Sequence, residues 1–162
     1  MGGDFEQFYR EVFTRLAQAL FLLTGDPTEA EDLAQEALAR AFERWDRVGT
    51  MESPVGYVFR SALNLHRKRL RRAAVWARVS GRATQPARED RDPATVIEVR
   101  NEVLGALGSL SPEQREAVLL IEWMGLSTEE AAAALGIEPV SVRARVYRAR
   151  VALRRRLEVP DE

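Results

Sequence analysis

The chain has 162 residues, 46% of them apolar, a formal net charge of −1, no cysteine and one histidine, His66. This length and composition suit one domain or two small soluble ones; they exclude a disulfide framework and a zinc–thiolate site, and they leave no imidazole cluster for a metal. No run of about 18 apolar residues occurs, and Asp4 and Glu6 stand where a signal peptide needs a basic head, so the chain reads as cytosolic.

Residues 5–24 place Phe5, Phe8, Tyr9, Val12, Phe13, Leu16, Leu20 and Leu23 at three- and four-residue steps, the repeat of one helical face. Gly25 ends that helix. Asp26 then stands at an N-cap position, with Pro27 at the first helical position and Glu29 placed to complete a capping box. The helix it opens runs to about Arg47. Ala30, Leu33, Ala34, Ala37, Leu38, Ala41, Phe42 and Trp45 form its packing stripe, and Asp32, Gln35, Glu36, Arg40 and Glu43 face outward.

Residues 49–54 have loop composition, and Pro54 opens a third helix that runs to about Arg72 or beyond. Val55, Val58, Phe59, Ala62, Leu63 and Leu70 face inward. Arg60, Asn64, Arg67 and Arg71 form the opposite stripe, with Lys68 beside it and Tyr57 nearby. A charged stripe on an unknown helix is usually only a solvated face. Here an asparagine, able to pair with a base edge as donor and acceptor together, lies among cations that can hold phosphates. Rings interleaved with bases also suit single-stranded nucleic acid. The spacing alone leaves both readings open.

Residues 77–95 lose all periodicity and gather Ser, Gly, Pro and mixed charge, the composition of a linker. A helix over 96–108 follows, then one opened by Ser111 and Pro112, then a short one in which Ser127 and Glu130 fit a capping box. Leu135, Gly136 and Ile137 make a tight turn into "VSVRARVYRARVALRRR", residues 140–156. At about 100° per residue, Val142, Val146, Ala149, Leu153 and Leu157 fall on one side. Arg143, Ala144, Tyr147, Arg148 and Arg155 fall on the other. A short helix, a glycine turn and a basic second helix form the helix-turn-helix arrangement, whose second helix enters the major groove.

Charge follows the same division. Residues 1–59 carry eleven acids against five arginines, and residues 60–88 carry nine bases and no acid. Residues 89–138 carry eleven acids against three bases, and residues 139–162 carry seven arginines against three acids. The expected organisation is a first module over 1–76, a linker over 77–95 and a second module over 96–162.

Three segments now carry a family resemblance. They are "LLTGDPTEAEDLAQEALARAFERWDRV", "YVFRSALNLHRKRLRR" and "LSPEQREAVLLIEWMGLSTEEAAAALGIEPVSVRARVYRARVALRRRL". Together they resemble the sigma-70 superfamily, specifically the small extracytoplasmic-function (ECF) group of bacterial RNA polymerase sigma factors, over nearly the whole chain. The first module is similar to sigma domain 2, which docks on polymerase and melts and reads the minus-ten promoter element. The second is similar to sigma domain 4, which reads the minus-thirty-five element. The resemblance implies an all-α fold of two small helical domains joined by a flexible linker. It implies an alternative sigma factor without catalytic activity, with core RNA polymerase and promoter DNA as partners, an anti-sigma factor as a candidate further partner, and no cofactor.

Residue by residue, the resemblance implies that Asp32, Gln35 and Glu36 contact the coiled coil of the polymerase's largest subunit. Asn64 matches the asparagine near the captured minus-ten base, and Tyr57 stands where the family often has tryptophan. Arg60, Arg67, Lys68 and Arg71 share that face. Arg143, Tyr147 and Arg148 match recognition-helix positions facing the minus-thirty-five element, with Ser141 and Ala144 on the same helix. Leu63 replaces the arginine common before the asparagine, Pro54 stands where an aromatic often flanks the base-capturing loop, and Ala144 replaces a usual serine or lysine. "EPVSV" replaces the frequent glycine-threonine pair before the recognition helix. These departures bear on which promoter is read.

Two rivals stand beside this reading. A plain helix-turn-helix regulator would bind its operator without polymerase and leaves the first module unexplained. An all-helical adaptor would bind protein only, with every arginine solvated, and would show no salt-dependent DNA binding.

Overall fold

The computed structural model describes residues 2–81 and 101–157. The expected linker beyond residue 81, the start of the helix expected over 96–108, and residues 158–162 lie outside these. Among the described residues there is helix and loop and no strand: α1 (Gly2–Thr24), α2 (Pro27–Glu43), α3 (Trp45–Val48), α4 (Pro54–Ser80), α5 (Asn101–Gly108), α6 (Pro112–Val118), α7 (Thr128–Leu135) and α8 (Pro139–Leu157), with a π-helical turn over Leu119–Trp123 continuing α6.

Local chemistry sets most of these boundaries. Gly25, at φ 74°, closes α1, a left-handed backbone that glycine adopts without strain. Asp26 Oδ1 accepts from the backbone N–H groups of Thr28 and Glu29 at 3.0 and 3.2 Å, so α2 has its N-cap. The expected reciprocal half of that box is not made. Glu29 turns away instead, its Oε1 lying 3.1 Å from His66 Nδ1 on α4. The two capping boxes of the second module are reciprocal, Ser111 with Gln114 and Ser127 with Glu130. Gly136, at φ 68°, makes the expected turn between α7 and α8.

Two boundaries differ from the sequence reading. Expected to reach Arg47, α2 stops at Glu43, because Arg44 leaves the helical region at φ −121°. That break brings the Trp45 ring to 5.2 Å from Phe5 and 5.0 Å from Phe8, where aromatic pairs attract. At the other end of the module, α4 continues past residue 76 to Ser80. Alanines at 73, 74 and 77 favour helix, and the stop signal is Gly81, at φ 64°. From Leu70 onward α4 has outrun the helices it packs on. Leu70, expected to face inward, is therefore 55% exposed. Phe42, placed in the α2 packing stripe, is also exposed, although its ring contacts Phe5 at 4.9 Å.

Leu16 and Leu20 of α1, Leu33 and Leu38 of α2, and Val58, Phe59 and Leu63 of α4 form a fully buried core in the first module. Ala117, Leu120, Ala131 and Val142 do the same in the second. The two cores are continuous. Ala19 to Leu23 are buried on every side of α1, because α5, α6 and the π-helical turn pack against it while α7 packs against α4. A helix that is apolar all round has two partners rather than one. Arg115 ties the joint: its guanidinium donates to Leu23 O at 3.0 Å, Leu107 O at 2.9 Å and Leu110 O at 3.1 Å.

The Glu29–His66 contact gives a first expected result. The hydrogen bond to His66 holds the Glu29 carboxyl below its ordinary value of 4.5, and the His66 and Arg69 charges act in the same direction against partial burial. A carboxylate with a lowered value stabilises the fold above its unfolded value and stops doing so as pH falls through the folded one. Glu29→Gln is thus expected to cost about 1 kcal/mol at pH 7, a gap that closes in acid once pH has fallen through the lowered folded value. Urea unfolding of both chains at pH 7 and in acid measures it. A gap that widens in acid would contradict the assignment.

Candidate nucleic-acid interface

The buried face of α4, built on Val58, Phe59, Ala62 and Leu63, fixes the helix against α1 and α2. Its opposite side is turned outward. Arg60, Asn64, Lys68 and Arg71 are exposed along that side and Tyr57 is half-buried. All of them lie on one stripe of the same helix, so a single strand could track along it.

The sixth expected member, Arg67, is differently engaged. Its Nη2 donates to Glu116 Oε2 on α6 at 2.8 Å. Glu116 is the one buried charged residue among the described residues. Burial pushes its carboxyl upward, and the Arg67 guanidinium, with Arg145 further off, works against that. Beyond it, Tyr57, Arg60 and Asn64 line a crevice of about 590 Å³ whose facing wall is Glu129, Glu130, Ala133 and Ala134 of α7. The nearby Ser53 hydroxyl, with Ser127, holds the Glu130 carboxyl below its ordinary value against slight burial.

On α8 the packed face holds Val142, Val146 and Ala149, all buried. Leu153 is only half-buried and Leu157 is 45% exposed, so the apolar stripe is less covered in the last turn, where both side chains line a shallow apolar groove with Val103, Leu107 and Trp123. Arg143 and Arg148 are exposed, Tyr147 is 69% exposed, and Ser141 and Ala144 are half-buried beside them. These five share one outward arc, apart from the α4 stripe. The adjoining Arg150 is held by Glu122 of the π-helical turn, its Nε donating at 2.8 Å.

Asp32 and Gln35 are exposed on the outer side of α2. Glu36 lies between two arginines: Oε1 accepts from Arg40 at 3.1 Å and Oε2 from Arg69 of α4 at 3.3 Å. Exposed pairs of this kind contribute little and exchange readily for other partners.

Sequence reasoning did not single out Arg115, Glu116 or Glu129, and it placed Glu130 only as the capping partner of Ser127. A signal for Glu116 was present, since it falls in helical phase with Leu119 and Leu120 within an apolar run. A carboxylate there had to find a cation from another element.

Comparison with known proteins agrees with this arrangement. The family model described as Sigma-70 region 2 matches residues 4–75, and that described as Sigma-70, region 4 matches residues 100–153. The chain is 34% identical to the RNA polymerase sigma-E factor of Streptomyces avermitilis over 98% of its own length and 87% of the relative's. It is 33% identical to the ECF RNA polymerase sigma factor SigL of Mycobacterium tuberculosis, over 84% of this chain and 78% of that one. A solved structure of the sigma factor RpoE from Bartonella quintana, in complex with the anti-sigma factor NepR, superposes with a TM-score of 0.78 at 29% identity, covering 98% of this chain and 99% of that one. Two sigma modules in the order region 2 then region 4, with relatives matched across both, show that the chain belongs to the sigma-70 superfamily, in its extracytoplasmic-function group of RNA polymerase sigma factors.

Proposed function

We propose that this alternative sigma factor divides its work among three faces. The outer side of α2, with Asp32, Gln35 and Glu36, docks on core RNA polymerase. The α4 stripe of Tyr57, Arg60, Asn64, Arg67, Lys68 and Arg71 captures the melted minus-ten strand. The α8 arc of Ser141, Arg143, Ala144, Tyr147 and Arg148 enters the major groove of the minus-thirty-five element. The factor works in the cytoplasm, where polymerase and promoter are. Its contribution is binding energy and not a reaction of its own.

The observation that supports this division most directly is the presence of two outward basic arcs on separate helices, each opposite a buried apolar face. One basic helix would serve a plain duplex regulator. Two arcs, one of them interleaving asparagine and tyrosine with cations, fit a protein that holds duplex at one end and an opened strand at the other. Extruding a base costs a few kcal/mol, which stacking and phosphate contacts offset once polymerase fixes the duplex in place.

Run-off transcription with purified core polymerase tests the reading, using one promoter template as duplex and the same template already melted around the minus-ten element. The wild-type chain is expected to direct initiation on both. Asn64→Ala is expected to lose roughly tenfold or more on the duplex, corresponding to about 1.4 kcal/mol or more, and much less on the melted template. Equal losses on the two would assign Asn64 a general phosphate or folding role instead.

A further inference from the structure

Beyond Leu70, where α4 has outrun the helices it packs on, the helix still carries large apolar side chains in the open. Val75 is 57%, Trp76 63% and Val79 78% exposed. They share a shallow surface groove of about 500 Å³ with Lys68, Arg71 and Arg72. Arg72 lies four residues before Trp76 and Val79 three after it, so each stands one turn from the indole on the same side of the helix. Alanine would continue the helix here as it does at 73, 74 and 77, so helix formation does not call for the ring. Contiguous exposed apolar surface of this kind marks an interaction site. The Sigma-70 region 2 match ends at residue 75, and Trp76 and Val79 lie past it.

Two observations say what the groove takes. Residues 60–88 carry nine bases and no acid, so the partner is anionic. The groove also continues the stripe of Arg60, Asn64, Lys68 and Arg71. Val75 stands four residues after Arg71 and Val79 four after that, so the same side of α4 runs on without a break. Trp76 follows Asn64 by about 18 Å of helix at 1.5 Å per residue, the length of about five nucleotides at ~3.4 Å each.

We propose that Trp76 is a stacking platform for a further base of the strand that α4 captures, about five nucleotides to one side of the base at Asn64. Lys68 and Arg72 hold the phosphates on the way to it, and Val75 and Val79 shield the stack from water. The inference rests on the assignment of the α4 stripe to the minus-ten strand. Cations alone would bring phosphates and leave an indole and two valines in water, whereas a base laid on the ring covers all three. Every base has a π-face, so this contact lengthens the footprint and adds affinity without reading a sequence.

Fluorescence anisotropy with the factor assembled on core polymerase tests this, using strands from a promoter on which that holoenzyme initiates. One labelled oligonucleotide spans the minus-ten element alone, and two others add about six nucleotides on the 5′ or the 3′ side, enough to pass the ~18 Å to the ring. The wild-type chain is expected to bind one of the extended strands at least about fivefold more tightly than the short one, the low end for one stacked base. Trp76→Ala should lose that gain and Trp76→Phe should keep most of it, while all three chains bind the short strand within about twofold of one another. An extension of abasic nucleotides keeps the phosphates, removes the rings and should bring no comparable gain. Because Trp76 is exposed, its substitution should leave the urea midpoint in place.

Extended strands that bind no better than the short one, or a gain that Trp76→Ala retains, overturn the proposal. So does an equal gain from the abasic extension, which makes the contact one of phosphates alone. A Trp76→Ala chain that keeps its grip on the extended strand and loses affinity for core polymerase assigns the groove to protein instead. The reading on which the proposal rests fails separately: Asn64→Ala would then bind the short strand as the wild type does, whereas a missing gain on extension touches only Trp76.

Discussion

Phe59→Ala is expected to destabilise the protein by about 3–5 kcal/mol, the range for truncating a buried aromatic ring. Phe59 is the largest fully buried side chain among the described residues, at 0% exposure. It lies in the buried surface of α4, which packs on α1 and α2, so its removal opens a cavity that the close-packed side chains around it fill only in part. The function is tied to the same contact. Tyr57 and Arg60 stand close to Phe59 in sequence and take their outward direction from the same packing, so loosening this core is expected to disorder the stripe proposed to capture the strand. Urea unfolding should show the midpoint falling with an unchanged slope. A loss under about 1 kcal/mol would mean that α4 does not seat in the first module as described.

Much of this architecture was legible from local chemistry. Glycines at 25 and 136 with positive φ, prolines at first helical turns, and serines placed three residues before Gln114 and Glu130 each report a constraint contained within one turn of helix. So do the buried faces of α4 and α8, since a period of 3.6 needs no knowledge of what lies across the interface. The misses are of another kind. The break at Arg44 depends on where the rings of Phe5 and Phe8 stand, on a different helix. Leu70 looked inward because its phase is right, yet α4 extends past the helices that would have covered it. Periodicity gives a direction and says nothing about whether a partner reaches that far.

The candidate site shows the same limit. Each expected DNA-facing residue was readable as part of an outward arc, and every one of them except Tyr57, Ser141 and Ala144 is exposed. That Arg67 would be bonded to Glu116 was not readable, since the two are far apart in sequence and helical phase shows that Glu116 is turned inward without showing which cation meets it. The all-apolar run Ala19 to Leu23 was the available hint that α1 has a second partner. A single stripe would have sufficed for a module standing alone. Burial of Glu116 and of that run are two sides of the same joint, which couples the first module's core to the second.

Arg148→Ala is expected to change which promoters are preferred, not only how strongly they are bound. The residue is exposed on the α8 arc next to Tyr147, opposite the packed side of Val146 and Ala149. A helix inserted by this arc brings the Arg148 guanidinium to the base edges. An arginine paired bidentately with guanine discriminates by about 1–3 kcal/mol, so its loss should flatten the preference at one position by roughly five- to 150-fold and leave other positions nearly unchanged. Arg156 provides the contrast. It is exposed in the last turn of α8, which in the proposed docking lies beyond the groove. There it should touch phosphate or polymerase at most, so Arg156→Ala should weaken all sequences alike and, for a lost phosphate contact, reduce the salt slope by about 0.9. Initiation from a set of promoters carrying every single-base change in the upstream element, with both variants and the wild type, separates the two roles. A uniform loss for Arg148→Ala would make it a phosphate contact, and a reordered ranking for Arg156→Ala would mean that α8 enters the groove in a different register.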